Sequence, residues 1–98
     1  YKITKLFPKD ELFGITSQMR RCSVSVASNL VEGSGRNSMK DKARFTEIAY
    51  GSALELLNQL ILSFDFEYIE EQKYIEIREK ITEVTVLING LYKSQLPK

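Results

Sequence analysis

The sequence predicts an all-α fold, an antiparallel up-and-down four-helix bundle whose first helix is largely missing from this chain. Three observations support it. Apolar residues recur at three- and four-residue steps over most of the 98 residues, strict alternation appears only locally, and the periodic runs are separated by short links such as Gly33-Ser34-Gly35 and Asp65-Phe66-Glu67-Tyr68. Residues 1–98 are read as one domain, at the small end of the range that closes a core alone.

Residues 1–6 read as the last turn of an upstream helix. Tyr1 follows no initiator Met, which suggests that the natural start lies further upstream. Phe7-Pro8-Lys9-Asp10 reads as a break, with Pro8 suited to a first helical position and Asp10 and Glu11 to the positive end of a helix dipole. The second helix runs from there to about Gly33, or restarts after Gly14 with Thr16 or Ser17 as its cap.

At 100° per residue, Leu12, Ile15, Met19, Cys22, Val26 and Leu30 fall on one face, and Phe13, Val24, Ala27 and Val31 fall roughly opposite. Gln18, Arg21, Ser25, Asn29, Glu32 and Arg36 run between them. A surface helix has one apolar stripe, so the second face needs either another part of this chain or another copy of it. Gly33-Ser34-Gly35 offers positions tolerant of positive φ and ends the helix.

Ser38 followed by Asp41 resembles a capping box and opens a third helix through about Phe64. Phe45, Ala49, Ser52, Ala53, Leu56, Leu57, Leu60, Ile61 and Phe64 form its apolar arc, with Arg44, Glu47, Gly51, Glu55 and Asn58 on the other side. A mid-helix glycine costs about 1 kcal/mol relative to Ala. With Ser52, Gly51 therefore marks a close approach of another backbone, or else is a tolerated surface glycine. Asp65–Tyr68 reads as a short connection. A last helix from about Glu70 to Gln95 carries a seam of Tyr74, Ile77, Ile81, Val84, Ile88 and Leu91 before Pro97 stops it.

Composition removes several chemistries. With no His, no Trp and Cys22 as the single cysteine, an internal disulfide, a Cys/His zinc site and a histidine general base are excluded. Cys22 sits on the predicted apolar face, as a small hydrophobe does. Residues 1–49 carry nine Lys/Arg and five Asp/Glu, and residues 50–98 carry five and eight, so the halves are oppositely charged at +4 and −3. The basic half suits a phosphate backbone or the acidic surface of a second copy. No run is long enough to span a bilayer and no signal peptide is visible, so a cytoplasmic protein without a membrane partner is expected.

No catalytic residue, cofactor, metal or small-molecule substrate is indicated. Gly33-Ser34-Gly35-Arg36-Asn37-Ser38 lacks the Gly-Lys-Ser/Thr ending and preceding strand of a phosphate loop, and reads as an interhelical turn. Glu32 and Glu55 could face each other, but two carboxylates make a poor transition-metal site. For Glu32 an ion pair or hydrogen bonds with Arg36, Asn29 or Arg44 are expected instead. Arg20, Arg21, Arg36, Lys40, Lys42 and Arg44 flank the turn after the second helix and are the candidate nucleic-acid contacts. A solvated basic face with intersubunit ion pairs is the structural alternative. Val24, Ala27, Val31, Asn29, Glu32, Gly51, Ser52 and Glu55 are the candidate oligomer interface or polar network. Tyr50, Tyr68, Tyr74 and Tyr92 read as core-edge or interface residues.

Four stretches together resemble one family: Phe7-Pro8-Lys9-Asp10-Glu11-Leu12-Phe13-Gly14-Ile15-Thr16-Ser17-Gln18; Arg20-Arg21 with Val24-Ser25; Asn29-Leu30-Val31-Glu32-Gly33-Ser34-Gly35-Arg36; and Arg44-Phe45, Ala49-Tyr50-Gly51-Ser52 and Glu55. The chain is similar over nearly its whole length to the small bacterial proteins encoded by intervening sequences in 23S ribosomal RNA genes. The resemblance implies a left-handed four-helix bundle, a ring-shaped homopentamer and no established enzyme activity. It also implies kinship with a basic pentameric accessory protein of retroelements that partners a reverse transcriptase and is associated with nucleic-acid contact. The family's opening Trp-bearing helix is absent here, and Ala27 stands where the family often has Pro.

The expectation is therefore a non-enzymatic oligomeric bundle that binds RNA or DNA through a basic surface of its ring. The alternative is a scaffold for a protein partner such as a reverse transcriptase or other polymerase. An enzyme would need a Lys, Tyr or carboxylate mechanism that no motif localises.

Overall fold

A computed structural model describes residues 9–97, which form α1 (Lys9–Ser34), α2 (Met39–Asp65) and α3 (Glu71–Gln95). No strand occurs among them. α2 packs on both α1 and α3, whereas α1 and α3 barely meet. Gln18 Oε1 accepts from Gln59, and Tyr92 donates to Glu47, so successive helices are antiparallel. The bundle is thus all-α with three helices described, and the expected stub at residues 1–6 and the Pro8 start lie outside the described residues. So do the expected placements of the Leu12 and Phe13 side chains. At 1.5 Å per residue a helix of 25–27 residues is about 40 Å long, close to the 46 Å long axis of the molecule.

α1 passes through Gly14 without restarting. Its far end departs from expectation, because no glycine among the described residues has positive φ. The chain leaves the helix through tight bonds from Gly35 N to Glu32 O (3.2 Å) and Arg36 N to Gly33 O (3.1 Å). Gly33 serves proximity instead. It is buried, and a Cβ there would lie 3.0 Å from Phe45 Cβ and 3.4 Å from the Lys42 carbonyl.

Ser38 caps α2 as expected, its Oγ accepting from Asp41 N at 3.1 Å. At the other end of α2, Tyr68 N bonds Ser63 O and Glu67 N bonds Phe64 O, both at 2.9 Å. That pair of bonds is a Schellman ending, and its left-handed position is occupied by Glu67 at φ 62° rather than by glycine.

The core is densest toward this α2–α3 link, where Met19, Leu60, Ile69, Tyr74 and Ile81 are buried and Ile15, Leu56, Leu57, Ile61, Phe64, Tyr68 and Ile77 pack around them. Phe64 and Tyr74 stack with centroids 4.3 Å apart, and Arg78 donates to the Tyr74 hydroxyl at 2.9 Å. Toward the α1–α2 turn the buried residues are smaller: Ala43, Thr46, Ala49 and Ala53 on α2 and Thr85 on α3, beside Ile88. Thr46 Oγ1 ties this end to α3 through Gln95 Oε1, 2.7 Å away.

The expected α3 seam is corrected in part. Tyr74, Ile81 and Ile88 are buried, but Val84 and Leu91 remain 41% and 43% exposed. They border the open side between α1 and α3, where no described helix lies to meet them.

Candidate functional site

The polar stripe of α1 meets α2 in a ladder of short contacts. Gln59 Nε2 donates to Gln18 Oε1 at 3.2 Å, the Cys22 thiol lies 3.7 Å from Glu55 Oε2 and 3.8 Å from Gln59 Oε1, and the Ser25 and Ser52 hydroxyls share a hydrogen bond of 2.7 Å. Asn29 Nδ2 folds back onto Ser25 O (2.8 Å) and Oγ (3.1 Å). Small residues make this possible, since bulky ones would hold the backbones apart. The close approach expected at Gly51 and Ser52 is made by Ser52, while Gly51 is exposed and a Cβ there would meet nothing within 4 Å.

Cys22 is buried, as its place on the apolar face predicts. Burial raises its pKa above the ordinary 9.0; the charge of Glu55 and its hydrogen bond add to the shift, and Arg21 and Gln59 oppose it. The thiol is therefore protonated and unreactive near neutral pH.

Glu32 and Glu55 do not face each other. Glu55 sits beside Cys22, ten residues and so about 15 Å along α1 from Glu32. Glu32 instead pairs with Arg36 at 2.6 Å, the i,i+4 partner expected for it. Among the described residues no group of three or more His, Cys, Asp or Glu side chains could hold a metal ion.

The six candidate basic residues do not form one patch. Arg36, Lys40, Lys42 and Arg44 cluster at the α1–α2 turn, but Arg20 and Arg21 lie roughly 20 Å down α1 from Ser34. Within the cluster Arg36 lies over the Phe45 ring, 4.7 Å from its centroid, and Lys42 Nζ caps the Ser34 carbonyl at 3.2 Å. Lys40 and Arg44 are exposed on the first turns of α2, where the carboxylates Glu32, Asp41 and Glu47 partly offset the cluster.

Two further surfaces emerge from the packing of the helices. Met39, Ala43, Arg44 and Glu47 of α2 and Tyr92, Leu96 and Pro97 line a cleft of about 660 Å³ beside the basic cluster. Tyr92 borders it and donates to Glu47 Oε2 at 3.3 Å. The second is an apolar groove between α1 and α3, floored by Ala53 and Leu56 and walled by Val26, Ile81 and Val84. Leu87, 72% exposed, lies beyond it on α3.

No helix is long and apolar enough to cross a membrane among the described residues. No curated protein matches the sequence significantly. The model of one family does, over residues 1–90, so that the polar α1–α2 ladder, the turn and most of α3 all fall inside the match. The chain belongs to the 23S rRNA-intervening sequence proteins.

Proposed function

We propose that this protein is a non-enzymatic protomer of a ring-shaped homo-oligomer, a pentamer by the family resemblance, which offers the basic ends of its bundles to RNA or DNA in the cytoplasm. In this reading a fourth helix fills the α1–α3 groove and completes the bundle.

One observation carries the assembly. Val24 and Val31 are 63% and 71% exposed, and the apolar face they share with Ala27 finds no cover among the described residues. Burying such a face yields roughly 25 cal/mol per Å², repeated at every interface of a ring. Light scattering or sedimentation of the full-length protein is the test; a strict monomer at micromolar concentration overturns it.

The nucleic-acid clause follows from the turn cluster, repeated around the ring. Affinity for single-stranded RNA should fall as salt rises, and the double variant Arg36→Glu/Lys40→Glu should weaken it further. Absence of binding at low salt, or binding indifferent to salt, overturns this clause. The mixed lining of the cleft favours the second reading, a protein partner such as a polymerase. An apolar contact through Met39, Tyr92 and Leu96 would survive the same charge reversal.

A further inference from the structure

Within the chain, Gln18 pairs with Gln59, Cys22 with Glu55 and Ser25 with Ser52, and each pair of residue numbers adds to 77. Residue n of α1 therefore stands level with residue 77 minus n of α2. In a ring whose axis runs parallel to the helices, rotation preserves level, and the same rule would then govern what α1 of one copy meets on α2 of the next.

The outward stripe of α1 carries Val24, Ala27 and Val31 with Arg21 beside them. The outward stripe of α2 carries Leu54, Gly51 and Ile48 with Glu55 beside them. The level rule brings Leu54 within one residue of the level of Val24, Gly51 within one of Ala27, Glu55 within one of Arg21 and Ile48 within two of Val31, offsets of about 1.5–3 Å along the helix that side chains span. Large meets large at the flanks, the two smallest residues meet in the middle, and the charges are opposite. Leu54 and Ile48 are both 43% exposed in the single chain.

Neither conformation nor close packing requires a glycine at position 51 among the described residues: its φ is not positive, and a Cβ would meet nothing within 4 Å. Gly33 is the contrast, a glycine that the chain's own packing requires. A head-to-tail contact that uses two different faces of each copy closes into a ring where the rotation permits.

We infer that α1 of one copy lies along α2 of the next, with Ala27 seated on Gly51, Val24 and Val31 against Leu54 and Ile48, and Arg21 facing Glu55. This rests on the ring assembly proposed above and names its interface. The occupant of the α1 stripe is a second copy of this chain, and the contact is head-to-tail, each copy using two different faces.

The test uses the full-length protein in a Cys22→Ala background that retains its helicity. The double variant Val31→Cys/Ile48→Cys, oxidised and run under denaturing conditions, should give a reducible ladder of covalent oligomers, and neither single variant should extend beyond a dimer. As a second measurement, Gly51→Leu should weaken assembly by at least about tenfold while helical content and the thermal midpoint of the dissociated protomer do not fall, because the side chain has open space in its own chain. A parent protein that is monomeric overturns the assembly reading and this inference with it. A parent that assembles, with no ladder from the double variant or with undiminished assembly in Gly51→Leu, overturns the α1-to-α2 pairing alone.

Discussion

Gly33→Ala and Gly51→Ala are one chemical change in two helices, and the structure gives them opposite signs. At Gly51 the new Cβ meets nothing within 4 Å, so what remains is helix propensity and a less flexible unfolded chain, about 0.8–1 kcal/mol in favour of Ala. In a domain of this size that is a rise of roughly 4–8 °C in Tm. At Gly33 the propensity gain is smaller, because the residue lies in the fraying last turn. Against it stands a Cβ 3.0 Å from Phe45 Cβ and 3.4 Å from the Lys42 carbonyl. Neither is the free end of a flexible side chain, so α2 itself must shift. Overpacking of that kind costs about 1–3 kcal/mol, leaving a net loss of about 1–2 kcal/mol. The two variants should differ by about 2–3 kcal/mol in guanidinium unfolding followed by helical circular dichroism, at concentrations low enough that the midpoint does not depend on protein concentration. A Gly33→Ala protein as stable as the parent would refute the close packing of the α1–α2 turn. A destabilised Gly51→Ala protomer would mean that the glycine serves its own chain.

Glu67→Gly should stabilise by about 1 kcal/mol, because Glu67 alone among non-glycine described residues holds a left-handed φ, at the helix-ending position where glycine is free of that strain; an unchanged urea midpoint would contradict it. Ser38→Ala should cost about 1 kcal/mol by stripping the cap from Asp41 N, and urea unfolding reads this directly. Cys22 should react with a thiol reagent far more slowly than free cysteine until the protein unfolds. Since its folded pKa lies above the unfolded value, the folded state holds the proton longer. Its contribution is therefore full below about pH 9 and is lost as pH rises through the raised folded value. Cys22→Ala should flatten that alkaline decline, and an identical pH profile would show that the thiol does not cause it.

The helices themselves were legible: periodicity placed α2 and α3 nearly to the residue, with Ser38 and Pro97 as punctuation, and the two-faced pattern of α1 anticipated a buried Met19 and Cys22 and a second face that needs cover, which Val24 and Val31 do not find among the described residues. Other features were not legible, each for a physical reason. A glycine needed for positive φ and one needed for close approach look alike in sequence, so Gly33 was assigned the wrong role. The positive φ falls at Glu67, where no breaker residue announces it. Apolar spacing reports a face but not whether a neighbour occupies it, hence Val84 and Leu91 on an unfilled side. Closeness in sequence also misled: Arg20 and Arg21 seem near Arg36 until the rise of a helix separates them.

The α1–α2 ladder explains how such a modest interface keeps one register. Among the described residues Leu60 alone is a large side chain that is essentially inaccessible, so apolar burial alone discriminates weakly between alternatives. Sliding α1 by one turn, about 5.4 Å, would keep some apolar residue opposite another. The same slide would part Ser25 from Ser52 and Gln18 from Gln59, and it would drive a side chain into the gap that Gly33 leaves for Phe45. The part-buried Ser25–Ser52 bond adds only about 1 kcal/mol net when made, but leaving its hydroxyls unsatisfied costs about 1–3 kcal/mol, whereas water can replace the exposed Gln18–Gln59 bond. The polar stripe therefore acts chiefly against misalignment. That alignment also decides whether the outward stripes of α1 and α2 come level, so the residues that set register inside one chain set it between copies as well.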